Sequence, residues 1–122
     1  MKKFNYQTGK IGEEIAQEFL AQKGYQIITS NYRTRFGEID LIAGKGKKLF
    51  FVEVKLKIGE DFGSPEEMID YHKLDKIQNL AKFFLKTNSE LASRYPFLQI
   101  MAVCIVLNRD KTIKRINCYE MV

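Results

Sequence analysis

Two apolar, strand-forming segments joined by a glycine- and lysine-rich turn constrain the fold of this chain most. They cover residues 37–43 and 49–55, and the turn carries two glycines and three lysines. Apolar and β-branched runs on both sides of such a turn are typical of a β-hairpin. Three carboxylates (Glu38, Asp40 and Glu53) and Lys55 nevertheless lie inside these runs. Since an unpaired charge is costly to bury, the hairpin predicts a functional site with a counter-ion or a metal.

The length of the turn predicts the register of the hairpin. If Lys45 to Lys48 form the turn, Gly44 pairs with Leu49. Asp40 then faces Glu53, and Glu38 faces Lys55. Because side chains alternate along a strand, one face gathers the charged residues at one end and the other face is apolar. The charged group is Glu38, Asp40, Glu53, Lys55 and Lys57, and the apolar face is Ile39, Leu41, Ala43, Phe50, Val52, Val54 and Leu56. We expect helices on both sides of this hairpin.

The charged end of the hairpin has the chemistry of a metal site. Two carboxylates on neighbouring strands, Asp40 and Glu53, can bind Mg²⁺ or Mn²⁺, which prefer oxygen ligands and keep several waters. Lys55 points the same way as Glu53 and can orient an attacking water or neutralise charge on a phosphate. This arrangement predicts phosphodiester cleavage. The alternative is a charged strand end with ordinary cross-strand ion pairs.

The order of elements predicts a mixed β-sheet flanked by helices, in the order αβββαββ. An apolar stripe from Ile11 to Leu20 indicates a first helix that Gly24 ends, and residues 25–32 form the first strand. The motif Ser64-Pro65-Glu66-Glu67 predicts that the second helix begins near Pro65. Residues 98–107 form a buried strand parallel to residues 50–55, and residues 112–119 close the sheet.

The 122 residues are enough for a single domain. We expect no membrane span, since no apolar run is long enough, and a cytoplasmic location with two reduced cysteines. The net charge of +5 is compatible with a phosphate-binding surface. Arg33 and Arg35 follow the first strand, where they either meet phosphates or lie in water. Lys76 is assigned to a solvated helix face, and no basic stripe interleaved with aromatic residues is evident.

Several spaced motifs together carry a resemblance to a known family. They are Gly9-x-x-Gly12-Glu13-x-x-Ala16, Gly24-Tyr25, Asn31-x-Arg33, the run from Gly37 to Ala43, and Phe51-Val52-Glu53-Val54-Lys55. The chain, over about residues 8–107, resembles the YraN-like proteins, a functionally uncharacterised bacterial family. The resemblance implies the restriction endonuclease-like PD-(D/E)XK fold, with archaeal Holliday-junction resolvases as the nearest functional analogues.

The resemblance also implies roles for particular residues. Asp40 and Glu53 would bind Mg²⁺ or Mn²⁺, Lys55 would be the catalytic lysine, and Glu13 would be the helix-borne acid near the site, although spacing alone equally permits a solvated Glu13. Lys73 matches a lysine of the family and would contact phosphate. In a nuclease, Glu38 would support the catalytic residues.

Two positions depart from the family pattern. Lys57 stands where an arginine is usual, which keeps the charge but loses the bidentate phosphate contact. Gln99 stands where an aspartate is usual.

Three function classes remain open from the sequence. The first is a metal-dependent endonuclease acting on DNA, including branched or junction DNA. The second is a binding module of the same fold that recognises nucleic-acid structure without cutting it, and the third is an interaction protein whose charged end pairs with a partner. A homodimer would supply the two active sites that junction cleavage requires.

Overall fold

The computed structural model describes the backbone of residues 2–121 and the side chains of residues 9–121. Its elements are α1 (Lys2–Gln22), β1 (Gln26–Thr34), β2 (Gly37–Lys45), β3 (Lys48–Ile58), two 3₁₀ turns (Pro65–Met68 and Tyr71–Lys73), α2 (Leu74–Lys86), α3 (Ser89–Arg94), β4 (Phe97–Leu107) and β5 (Ile113–Met121). The five strands form one mixed sheet in the order β1-β2-β3-β4-β5. This confirms the predicted α/β class, a mixed sheet flanked by helices, and is compatible with a restriction endonuclease-like fold.

The register of the hairpin agrees with the predicted register as far as the strands pair, which is up to the charged residues. Gly44 pairs with Leu49, as predicted, and the paired positions of β2 and β3 run from Lys45 and Lys48 to Leu41 and Val52. The pairing of β3 with β4 is parallel, which the crossover through α2 requires. Both features follow from the apolar patterns and the turn.

Apolar cores lie on both faces of the sheet. On one face, α1 packs against Leu41, Phe50 and Val52. On the other, α2 and Tyr95 pack against Ile42, Leu49 and Phe51. The prediction placed Ile39 on the first face, and this is wrong, because Ile39 belongs to the α2 core.

The misplaced Ile39 follows from a local irregularity in two strands. Asn31 on β1 has a φ of 53°, in the left-handed region. The β1–β2 pairs pass from Ser30↔Leu41 to Tyr32↔Ile39 in unchanged register, but Asn31 and Asp40, which lie between them, do not pair. Strict alternation of side chains, on which the prediction rested, does not continue through this irregularity.

The second helix begins at Leu74 rather than near Pro65. Ser64 makes no capping hydrogen bond to the described residues, and Pro65 starts only a 3₁₀ turn. Glu66 is occupied by tertiary contacts, because its carboxylate accepts hydrogen bonds from Arg115 Nη1 and Tyr119 Oη, both at 2.7 Å. The capping motif therefore marks a turn and not the helix start.

No helix in the described part of the chain is long and apolar enough to cross a membrane.

Candidate active site

The charged ends of β2 and β3 open into a cleft of about 270 Å³ that α2 covers from one side. Its polar lining combines three acids with three lysines: Glu38, Asp40, Glu53, Lys55, Lys73 and Lys76. Ile77 and Leu80 of α2 form part of its apolar wall. Four of the five residues predicted to be catalytic therefore line one cleft.

Asp40 lies where the β2–β3 ladder stops. Its Oδ2 accepts a hydrogen bond from the Val54 backbone N–H at 2.8 Å. A side-chain carboxylate thus bonds an amide of the neighbouring strand, which fixes its position between the two strands. Burial raises the pKa of Asp40, and the negative charges of Glu53 and Glu38 raise it further, against the lowering effects of the Val54 bond and Lys55. Such a carboxylate would be stabilised by a cation.

Glu53 and Lys55 form an ion pair on one face of β3. Lys55 Nζ lies 3.1 Å from Glu53 Oε1, and the side chain of Lys55 is 23% exposed and that of Glu53 16%. Residues two apart on a strand share a face, which explains the contact. The predicted register placed Glu38 opposite Lys55, but the β2–β3 pairs end at Leu41 and Val52, before these residues. The ion pair of Glu38 is with Arg33 on β1, at 3.0 Å between Arg33 Nε and Glu38 Oε2.

Glu13 approaches the site from α1, on the other face of the sheet. The absence of a side chain at Gly12 lets α1 pack closely on β3, since a Cβ at this position would lie 3.3 Å from Leu56 Cβ. Burial raises the pKa of Glu13, and the charge of Asp40 raises it further. Its Oε1 atom is buried and has no hydrogen-bond partner among the described residues. Glu13 is not one of the described residues that line the cleft.

The donor set fits a hard divalent cation in part. Within residues 9–121, no group of three or more His, Cys, Asp or Glu side chains is arranged to hold a metal ion. Mg²⁺, however, is usually bound by one or two carboxylates and retains several waters. Asp40 and Glu53 meet that requirement, and the pKa of Asp40 is raised first by burial and then by the charges of Glu53 and Glu38. The residues present therefore fit Mg²⁺ or Mn²⁺ bound by two carboxylates and water.

The residues predicted to bind nucleic acid occupy different places. Lys73 lines the cleft. Arg33 is held by Glu38, and the Arg35 guanidinium lies 4.9 Å from the centre of the Phe36 ring. Lys57 is half-buried on β3 and is not among the described lining residues.

Lys76 is the cleft residue that sequence reasoning missed, since it was assigned to a solvated face. Lys76 lines the cleft together with Lys73 and Ile77. Its Cε atom would lie 3.0 Å from a Cβ placed at Gly37, so its stem crosses the start of β2. The available signal was helical spacing, because a residue three positions after Lys73 and four before Leu80 shares their side of α2.

Gln99 lies away from the candidate site. It pairs in register with Phe50, three positions along β3 from Glu53. Its Nε2 atom donates to the Met121 carbonyl oxygen at 2.7 Å and to the Ile100 carbonyl oxygen at 3.1 Å. The departure from the family pattern at this position therefore serves the β4–β5 edge of the sheet and leaves the lining of the cleft unchanged.

Comparison with known proteins places the chain in a family. Residues 12–107 match the family described as Uncharacterised protein family UPF0102. A UPF0102 protein of Caldanaerobacter subterraneus is 40% identical over 119 residues, covering 96% of this chain and 95% of that protein. A UPF0102 protein of Clostridium novyi is 38% identical over 120 residues, covering 98% of both chains. A UPF0102 protein of Dictyoglomus turgidum is 39% identical over 101 residues, covering 83% of this chain and 85% of that protein.

The chain belongs to the UPF0102 family, which confirms the YraN-like resemblance drawn from its motifs. Membership by itself assigns no reaction, so a function has to be argued from the cleft.

Proposed function

We propose that this UPF0102 protein is a metal-dependent endonuclease that hydrolyses phosphodiester bonds in DNA, with branched or junction DNA as the substrate class. The observation that carries the proposal is the convergence of Asp40, Glu53 and Lys55 on one cleft. Two carboxylates and a lysine from adjacent strands supply both metal ligands and a cation for the reacting phosphate.

Each group in the cleft has a role in this proposal. Asp40 and Glu53 would bind Mg²⁺ or Mn²⁺, and the bound ion would activate a water and neutralise phosphate charge. Lys55, held 3.1 Å from Glu53, would orient an attacking water or stabilise the charge that develops on the phosphate. Lys73 and Lys76 line the same cleft and attract the DNA backbone.

The outer acids have supporting roles. Glu38 lines the cleft and forms an ion pair with Arg33. Glu13 lies on the α1 side, and its negative charge interacts with that of Asp40. Both acids add to the negative potential that favours a cation at Asp40.

A nuclease explains the acids of the cleft better than a binding module does. Carboxylates repel phosphates, so a surface that only bound DNA would gain affinity by losing Asp40 and Glu53. The raised pKa of Asp40 also indicates that its ionised form is disfavoured without a cation. A bound metal ion removes both conflicts at once. The binding module therefore remains the second candidate, supported by the lysines alone.

The test is cleavage of a labelled four-way DNA junction, a splayed-arm DNA and a linear duplex, each with Mg²⁺ or Mn²⁺. We expect metal-dependent cutting that falls by at least about 100-fold in Asp40→Ala. Asp61→Ala is the matched control, because Asp61 is an exposed aspartate paired on the surface with Arg109, and it should cut normally. Analytical ultracentrifugation of the same samples would show whether the proposed homodimer forms on the junction.

The result also separates the other classes. Binding of DNA without cutting, unchanged in Asp40→Ala, would refute the nuclease and support the binding module. Absence of both binding and cutting would leave the charged cleft to a partner protein.

A further inference from the structure

A second groove lies beside the candidate active site. It has a volume of about 820 Å³, and its lining includes Arg35 and Phe36 from the β1–β2 turn and Lys76, Leu80 and Phe83 from α2. Lys76 and Leu80 also line the catalytic cleft. The two depressions are therefore adjacent, with the side chains of Lys76 and Leu80 at their boundary.

The groove exposes two aromatic side chains. Phe36 is 63% exposed and Phe83 is 54% exposed. Neither ring is needed to fill the core on which α2 packs, which is formed by other residues of this helix. Exposed aromatic residues that share one depression are typical of a binding surface rather than of scattered surface residues.

The charges of the groove select the kind of ligand. Arg35 lies with its guanidinium carbon 4.9 Å from the centre of the Phe36 ring, and Lys76 stands at the boundary with the cleft. None of the described residues that line this groove is acidic. A ligand that combines a flat apolar group with negative charge satisfies both properties, and a nucleotide has this chemistry: its base stacks on an aromatic ring while its phosphate meets a cation.

Pairing restricts which nucleotides can enter. In a fully paired duplex both faces of each base are covered by neighbouring pairs. A base can stack on a protein ring only where the DNA is single-stranded or splayed open. We propose that the groove formed by Arg35, Phe36, Lys76 and Phe83 binds unpaired nucleotides next to the cleaved phosphodiester, which selects, among branched DNA, splayed-arm or flap structures over linear duplex. This inference rests on the proposed nuclease function and names its substrate class.

Binding without cleavage tests the groove independently of the reaction. The probes are a splayed-arm DNA with 2-aminopurine in the unpaired arm and a linear duplex of the same paired sequence, measured by anisotropy and 2-aminopurine fluorescence in Ca²⁺. The variant is Phe36→Ala/Phe83→Ala. We expect its affinity for the splayed-arm probe to fall about tenfold, while its affinity for duplex changes by less than about twofold.

Two further variants control for general effects. Phe62→Ala removes an aromatic ring that is 95% exposed and lies outside the groove, and it should bind both probes like the wild type. Phe36→Tyr/Phe83→Tyr keeps both aromatic faces and should retain the affinity that the alanine variant loses. Thermal melting of all variants verifies that they are folded, as the exposure of the replaced rings predicts.

The outcomes distinguish the groove from the nuclease. Equal losses on duplex and splayed-arm probes, or no loss on either, would overturn the groove assignment even if the wild type cuts DNA. A loss confined to the splayed-arm probe would support it even if no cutting is found. Two results would overturn it in favour of a protein contact. In the first, the wild type binds neither probe; in the second, the wild type is a dimer, and the alanine variant loses dimerisation while its DNA binding is unchanged.

Discussion

Replacing Lys55 by methionine tests the electrostatic balance of the cleft most directly. Methionine keeps the length of the side chain and removes the charge, so Glu53 loses its partner at 3.1 Å. Asp40 then faces Glu53 without the lysine that lowers its pKa. We expect the Lys55→Met variant to fold, to be less stable than the wild type, and to lose cleavage.

The magnitude follows from the distance and the exposure of the pair. Two unit charges 3.1 Å apart attract by about 1.3 kcal/mol at a dielectric constant of about 80, and by about 5 kcal/mol at about 20. Side chains that are 23% and 16% exposed lie between these limits, and loss of the lysine also relieves its own desolvation cost. The net loss should be about 2 kcal/mol, which corresponds to a Tm lower by roughly 8 °C for a chain of this size.

A double-mutant cycle isolates the pair. Denaturant unfolding at pH 7 is measured for the wild type, Lys55→Met, Glu53→Gln and the double variant. Because the double variant has neither charge, it should be more stable than the sum of the single changes predicts, with a coupling energy of at least about 1 kcal/mol. A coupling below about 0.3 kcal/mol would refute the reasoning, since the pair would then behave as an exposed surface ion pair.

Three further variants probe other parts of the fold. Asp40→Asn should be more stable than the wild type by about 1 kcal/mol at pH 7, because the raised pKa of Asp40 makes its ionised form destabilising. Melting curves should show this difference in stability shrinking as the pH falls through the raised pKa towards 3.8. Arg115→Met should cost about 1 kcal/mol in denaturant unfolding at pH 7, and the difference should close between about pH 4.5 and about pH 2, since Glu66 has a pKa lowered to about 2. Gly44→Ala should lower the free energy of unfolding by about 2 kcal/mol in the same assay, because its Cβ would overlap the Tyr95 ring.

For each of these three variants, one result would contradict the prediction. An Asp40→Asn advantage that persists undiminished at about pH 3, below the ordinary pKa of 3.8, would remove the carboxylate charge as its cause. An Arg115→Met difference that is independent of pH would mean lost packing rather than a lost ion pair. Gly9→Ala is the steric control for Gly44→Ala, because nothing lies within 4 Å of a Cβ at Gly9. Equal effects of the two alanine variants would contradict the overlap.

The sequence predicted those features that depend on local periodicity. The pairing of Gly44 with Leu49 followed from turn length, and the parallel β3–β4 pair followed from an apolar run after a helix. Both are set within one hairpin or one crossover, where the polypeptide has few alternatives. The predicted register also brought the acids to one end of the hairpin, and they line one cleft there, although the β2–β3 pairs end at Leu41 and Val52.

The misread capping motif and the missed groove depend on contacts between distant segments. Glu66 is drawn to Arg115 of β5, so a motif that caps helices in isolation starts only a short turn. The groove joins Phe36 of a β-turn to Phe83 of a helix, and Lys76 belongs to both depressions. No window of the sequence contains both halves of such a surface, so periodicity could not reveal it.

The position of Asp40 makes the length of its side chain, and not only its charge, essential for the proposed cleavage. Its carboxylate accepts the Val54 N–H at 2.8 Å at the point where β2 and β3 stop pairing. Glutamate keeps the charge but adds one methylene, which displaces the carboxylate by roughly 1 Å and breaks either this bond or the proposed metal contact. Displacement of that size lowers a rate by about 100-fold. We therefore expect Asp40→Glu to bind DNA like the wild type and to cut at least about 100-fold more slowly in Mg²⁺, measured under single-turnover conditions. Cleavage within a few-fold of the wild type would show that the charge alone suffices and that the bond to Val54 does not position the carboxylate for reaction.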